Sequence, residues 1–185
     1  MSDLDFDKFV EREVEEAKEA KEFDPSKEIS DFQDYIESLY SAIEGYLDDY
    51  VKSGNIVLGR SNHSIYEERL GNYSIKTLDI KIGFNEVKLK PIGTMLIGAK
   101  GRVDIIGNRT LRRLVLVDKK LTQPTLPKVT TKVVGNSIKG SISIGEAQSS
   151  VPEWTWKFAS NPPRIRYQEL NSDSFKNALM EVIGD

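Results

Sequence analysis

The spacing of apolar residues changes at Ser53-Gly54, and that change sets the fold class. Before it, Ile29, Phe32, Ile36, Leu39, Ile43, Leu47 and Tyr50/Val51 recur every three or four residues. After it, apolar and polar residues alternate. Side chains on one helix face recur at 3.6 residues and those on one strand face at two, so helices come first and strands follow. That order predicts an α+β architecture.

The helical part divides at Asp24-Pro25, where Asp suits an N-cap and Pro the first helical position. Residues 4–22 read as a first helix, with Phe6, Phe9/Val10, Val14 and Ala17 on a thin stripe among Glu and Lys. Residues 25–52 read as a second, longer one with a full apolar face that Tyr35, Tyr40 and Tyr46 broaden. The expected organisation is an acidic, loosely attached N-terminal helix over 1–24 and a single α+β domain over 25–185. The stripes also suit pairing with a second copy, so a homo-oligomer through the N-terminal helices is one expected mode of association.

Strands are expected at 56–58, 80–84, 87–90, 92–97, 103–106, 114–117, 132–134 and 138–144, and over Trp154-Thr-Trp156-Lys-Phe158. Ile165/Tyr167 starts a last one. Their short connections call for antiparallel neighbours. Six to eight strands are expected in the sheet, followed by a helix capped at Asn171 or Ser172 with Phe175, Ala178/Leu179 and Val182 on one face.

No apolar run approaches the length of a membrane span, and the acidic start, Met1-Ser-Asp-Leu-Asp, lacks the apolar segment of a secretory signal. A cytoplasmic protein without membrane attachment is the expectation. The absence of cysteine removes disulfides and thiolate chemistry. The net charge of −3 conceals an asymmetry: residues 1–50 hold 17 Asp/Glu against 5 Lys/Arg, and the remaining 135 hold 12 against 21. Between Lys76 and Lys132 there are 13 basic and 4 acidic residues. Such a stretch suits nucleic acid. Equally, acidic helices can dock on their own basic sheet.

One group of residues suggests chemistry. Asp104 ends an apolar strand, and the next strand ends in Asp118-Lys119-Lys120. An acid followed about a dozen residues on by Asp/Glu-x-Lys resembles the PD-(D/E)XK nuclease superfamily. The resemblance implies that Asp104 and Asp118 hold Mg²⁺ and that Lys120 acts on the attacking water, with Glu37 or Glu44 from a preceding helix as a further acid. Read without it, Asp118-Lys119-Lys120 is a solvated turn and Asp104 a cross-strand partner of Arg112 or Arg113.

The remaining candidates are binding residues. Trp154, Trp156 and Phe158 form a stacking platform if exposed and a core face if buried. Arg164 and Arg166 rim them, and Arg102, Arg109, Arg112 and Arg113 lie in the basic stretch. The lone His63 reads as a surface-loop residue, and Gly98-Ala-Lys-Gly101 as a hairpin turn. With no complete catalytic set, the leading expectation is a non-enzymatic binding or accessory protein, immunity-like or a complex subunit, that uses no cofactor and has a protein partner. The alternative is a Mg²⁺-dependent nuclease.

Overall fold

A computed structural model describes residues 6–14, 23–94, 96, 98–124, 128–134, 137–143 and 152–184, with 128–134 and 137–143 described as backbone only. Helix α1 is described over 6–14, where Phe6, Phe9, Val10 and Val14 all lie exposed. The thin apolar stripe predicted there is helical over 6–14, with no apolar cover among the described residues.

Helix α2, Pro25–Lys52, starts as expected: the Asp24 carboxylate accepts from the Ser26 and Lys27 backbone N–H groups, and Pro25 occupies the first turn. Its predicted stripe is its buried face, with Phe32, Ile36, Leu39, Tyr40, Ile43 and Leu47 all 2% exposed or less. Helix α3, Ser172–Ile183, is capped by a reciprocal Asn171–Ser174 box and buries Phe175, Ala178, Leu179 and Val182.

Between them runs a seven-stranded antiparallel sheet, in the order β1 (Ile56–Glu67), β2 (Gly71–Ile82), β3 (Asn85–Gly93), β4 (Gly101–Ile106), β5 (Leu111–Asp118), β8 (Trp154–Ala159) and β9 (Tyr167–Glu169). Strands β6 (Lys128–Val134) and β7 (Ser137–Ser143) form a separate hairpin inserted between β5 and β8. Alternation assigns one face of the sheet to the helices. Ile56, Leu58, Leu78, Ile80, Val87, Leu89, Val103, Ile105, Leu114, Leu116, Trp156 and Phe158 occupy it by register and pack in one core with α2 and α3.

Three expectations are corrected. The short strand at 56–58 is the start of a 12-residue strand, and β2 begins at Gly71 rather than near Ile80. The hairpin they form overhangs β3, because only Leu78 to Ile82 of β2 pair with it. Its far half buries Ile65, Tyr73 and Ile75 on the opposite side of the strands from Leu78 and Ile80, and Arg60-Ser-Asn-His-Ser64 carries no apolar residue to announce the strand. The strand expected at 92–97 is not seen among its described residues: Ile92 and Gly93 end β3, where φ at Gly93 is +152° and the register shifts.

Tyr40 closes the point where β2 and β3 part. Its hydroxyl lies 2.9 Å from the Lys76 carbonyl and 3.2 Å from that of Leu89, and Gln33 Nε2 donates to the Ser74 carbonyl at 2.9 Å. Burial, opposed by the Arg60 charge beside the ring, pushes the Tyr40 hydroxyl well above its ordinary value. Tyr73 is raised by burial and by its hydrogen bond to Glu67. An unfolded chain loses these protons above about pH 10 while the folded one keeps them. It then binds fewer protons than the native state, so this stabilisation, complete at neutral pH, falls as pH rises. Tyr40→Phe is expected to lose about 1–3 kcal/mol at pH 7, by stripping two buried carbonyls of their donor. It is also expected to flatten the decline between about pH 9 and pH 11, read as urea midpoints at the two pH values.

Candidate binding site on the outer sheet face

The face away from the helices carries most of the charged residues of the strands, Arg60, Lys76, Arg112 and Asp118 being on the other. Its position 104 is the first of the residues singled out in the sequence. Asp104 is 6% exposed and is held by its neighbour on the same face, Arg102, whose Nε and Nη2 donate to its two carboxylate oxygens at 2.7 and 2.8 Å. This fork geometry is the strongest form of such a pair. Arg113 lies directly across from Asp104, as expected of a cross-strand neighbour, but the ion pair is with Arg102. Arg112, the other predicted partner, faces the helices instead. There it bonds Glu181 at 2.8 Å and lies over the Phe158 ring.

Asp118 does not join Asp104. The register pairs Asp104 with Arg113, and Asp118 is five residues further along β5, an odd number. The two side chains therefore leave opposite faces, separated along the strand by roughly 16 Å. One ion cannot bridge them in this arrangement. Asp118 Oδ1 accepts from the Lys120 backbone N–H at 3.0 Å, which makes Asp118-Lys119-Lys120 a side-chain-closed turn. The helix carboxylates are committed elsewhere: Arg60 donates to Glu37 at 3.2 Å and to Glu44 at 2.6 Å, stacked over Tyr40. Among the described residues, no three of His, Cys, Asp and Glu cluster as a metal site. The ion pairs Arg60–Glu37/Glu44, Arg112–Glu181 and Lys100–Glu28 join sheet to helix, so part of the charge asymmetry is resolved inside the fold.

The other predicted binding residues separate into two groups. Trp156 is buried and donates its indole N–H to the Tyr35 carbonyl; Trp154 packs against the core with Lys100 over its ring. Neither is a free stacking platform. Arg109 lies against the α3 C-terminal cap at Gly184. His63 is corrected from loop to strand: it lies on β1, opposite Ile75 of β2. Desolvation and the charges of Lys90 and Lys88 lower its pKa. Gly98 makes the expected turn with φ +78°, whereas Gly101 is a strand residue over which the Phe32 ring sits too closely for any Cβ.

Arg102, Arg113, Arg164 and Arg166 gather on the outer face. Four strands build its floor in register: Arg102 faces Val115, Arg113 faces Ala159, and Ala159 faces Tyr167. Leu96 and Ala99 from the β3–β4 connection, Pro124 from the segment after β5, and Ser160 and Ile165 from the β8–β9 loop complete a cup of about 400 Å³. Pro124 and Ile165 also line an adjoining pocket with Gln123, Arg164 and Arg166. The loop is closed on itself, with Ser160 Oγ accepting from the Arg166 N–H at 2.8 Å and donating to the Arg164 carbonyl at 3.1 Å.

Lys157 holds the opposite wall. It is 3% exposed, and its ammonium donates to the Lys119 and Leu121 carbonyls at 2.7 and 3.1 Å and pairs with Glu169 at 2.6 Å. The Tyr167 N–H then donates to the Thr122 carbonyl. Arg113 is less well served. Its Nη1 reaches Asn161 Oδ1 at 3.3 Å and its buried Nε has no partner.

Sequence reasoning missed Val115, Ala159, Ile165 and Tyr167. The available signal was the unbroken run Leu114-Val-Leu-Val117, since a strand solvated on one face should alternate. Val117, on the outer face, is fully buried. No family model, curated protein or solved structure matches the chain.

Proposed function

We propose that this chain is a non-enzymatic binding protein, an accessory or immunity-like subunit that engages an acidic protein partner through its outer sheet face. The observation that carries the reading is the row Arg102–Val115 and Arg113–Ala159–Tyr167, two guanidiniums over an apolar floor, with Arg164 and Arg166 beside it. Arginine and aromatic residues around a partly desolvated pocket are what anchor protein interfaces. A protein partner is favoured over a nucleic acid because Lys88, Arg102, Arg112 and Lys119 already hold Asp79, Asp104, Glu181 and Glu153. A polyanion would draw on a continuous set of unpaired cations.

The test is capture from the native source with the full chain, its Arg113→Glu variant and its Arg164→Glu/Arg166→Glu variant. Wild type is expected to retain a protein whose binding weakens with salt, and both variants to lose it. Arg113→Glu faces Asp104 and is expected to melt lower, so loss of binding by the Arg164→Glu/Arg166→Glu variant at unchanged melting temperature is the result free of a folding effect. Retention of the same protein by Arg113→Glu overturns the assignment to this face. Capture of nucleic acid alone, or Mg²⁺-dependent cleavage of it with no protein partner, overturns the reading.

A further inference from the structure

We infer that the cup between β4, β5, β8 and β9 takes a single carboxylate carried on an apolar body. The inference rests on the reading of this face as a binding face and specifies its chemistry. Seven of the ten lining residues, Leu96, Ala99, Val115, Pro124, Ala159, Ile165 and Tyr167, offer carbon surface, and the charged ones are Arg102 and Arg113. The cup's volume of about 400 Å³ is within the range of small-ligand sites. Its charge fits one negative group. Asp104 neutralises Arg102 through both oxygens, which leaves Arg113 without an ion pair of its own among the described residues and the group of three with one net positive charge.

Arg113 is also poised for an anion. A guanidinium has five donors in a fixed fork that matches a carboxylate. Here the terminal nitrogens make one long bond, Nη1 to the Asn161 amide oxygen at 3.3 Å, and no ion pair; the Nε is buried behind them, as it is in Arg112, and is not the ligand's contact. The neighbouring Arg102–Asp104 pair shows the satisfied arrangement on the same sheet face. A carboxylate entering from the open side meets the terminal guanidinium nitrogens of Arg113, where the Asn161 bond is long, while its apolar part covers Val115, Ala159 and Tyr167. The ligand carboxylate comes either from a free monocarboxylic acid or from the C-terminal residue of a polypeptide. Both present the same group to Arg113.

The test uses 4-phenylbutyrate and its primary amide, and a short peptide ending in Phe with a free or an amidated C-terminus, titrated into the full chain by calorimetry. A carboxylate probe is expected to bind in the millimolar range or tighter, and its amide roughly 10- to 100-fold more weakly. Arg113→Gln is expected to remove that discrimination. Ile165→Glu, which sets a carboxylate into the wall from an irregular loop, is expected to abolish probe binding at unchanged melting temperature. Binding of the free acid but not the peptide assigns a small-molecule ligand, and binding of both assigns a chain terminus. Equal binding of acid and amide, an unaltered preference in Arg113→Gln, or no binding of any probe overturns the inference. If no probe binds while partner capture still depends on Arg113, only the ligand chemistry fails. If the probes bind and no partner is captured, only the protein-partner reading fails.

Discussion

Phe32→Ala is expected to destabilise the protein by about 3–5 kcal/mol, the largest effect of any single truncation considered. In a chain of 185 residues this lowers the melting temperature by roughly 10 °C. Phe32 is 1% exposed, and its ring lies on Gly101 at the start of β4, where a Cβ would stand 2.6 Å from the ring and 3.5 Å from Trp156. Truncation opens a cavity at the point where α2 crosses the sheet. Gly101→Ala alone should also destabilise, by about 1–3 kcal/mol of overpacking. The double variant should lose less than the sum of the two, because each change relieves the other. Denaturant melts of the four proteins check this. Strict additivity would mean that the ring does not sit where the structure places it.

Lys157→Met is expected to cost about 2–3 kcal/mol, and to do so locally. Methionine keeps the length of the stem but leaves the Lys119 and Leu121 carbonyls without their donor. Glu169 loses its partner as well, but it is mostly exposed and water replaces the ammonium. The segment carrying Pro124 should loosen, and with it the bond from the Tyr167 N–H to the Thr122 carbonyl. Amide exchange at Tyr167 is therefore expected to accelerate more than exchange at Leu89 in the centre of the sheet. Uniform acceleration would show that Lys157 supports the fold as a whole and not the wall of the cup.

The elements best read from sequence were those with local signals. Asp24-Pro25, the α2 stripe, the Asn171 cap and the Phe175–Val182 face all follow from spacing and capping within one helix. The antiparallel α+β plan followed from the change of period and the short turns. What could not be read is where registers place side chains. Asp104 and Asp118 have a suggestive separation in sequence, yet an odd count along β5 sends them to opposite faces. Arg112 and Arg113 are adjacent, and for the same reason one faces α3 and the other the cup. Val115, Ala159 and Tyr167 become neighbours only when β5, β8 and β9 pair, which a sequence separated by the β6–β7 hairpin does not announce. The burial of Lys157 depends on carbonyls that converge on it in three dimensions.

The central claim is that the outer face around Arg113 is the binding surface. Hydroxyl-radical footprinting of the chain with its captured partner tests it most directly. Tyr167 and Ile165 are expected to become severalfold less reactive in the complex, while Tyr66, Phe84 and Tyr50, exposed elsewhere on the sheet edge, hairpin tip and α2, stay unchanged. Protection of Phe84, Tyr66 or the α1 residues Phe6 and Phe9, with Tyr167 and Ile165 unaltered, would contradict it.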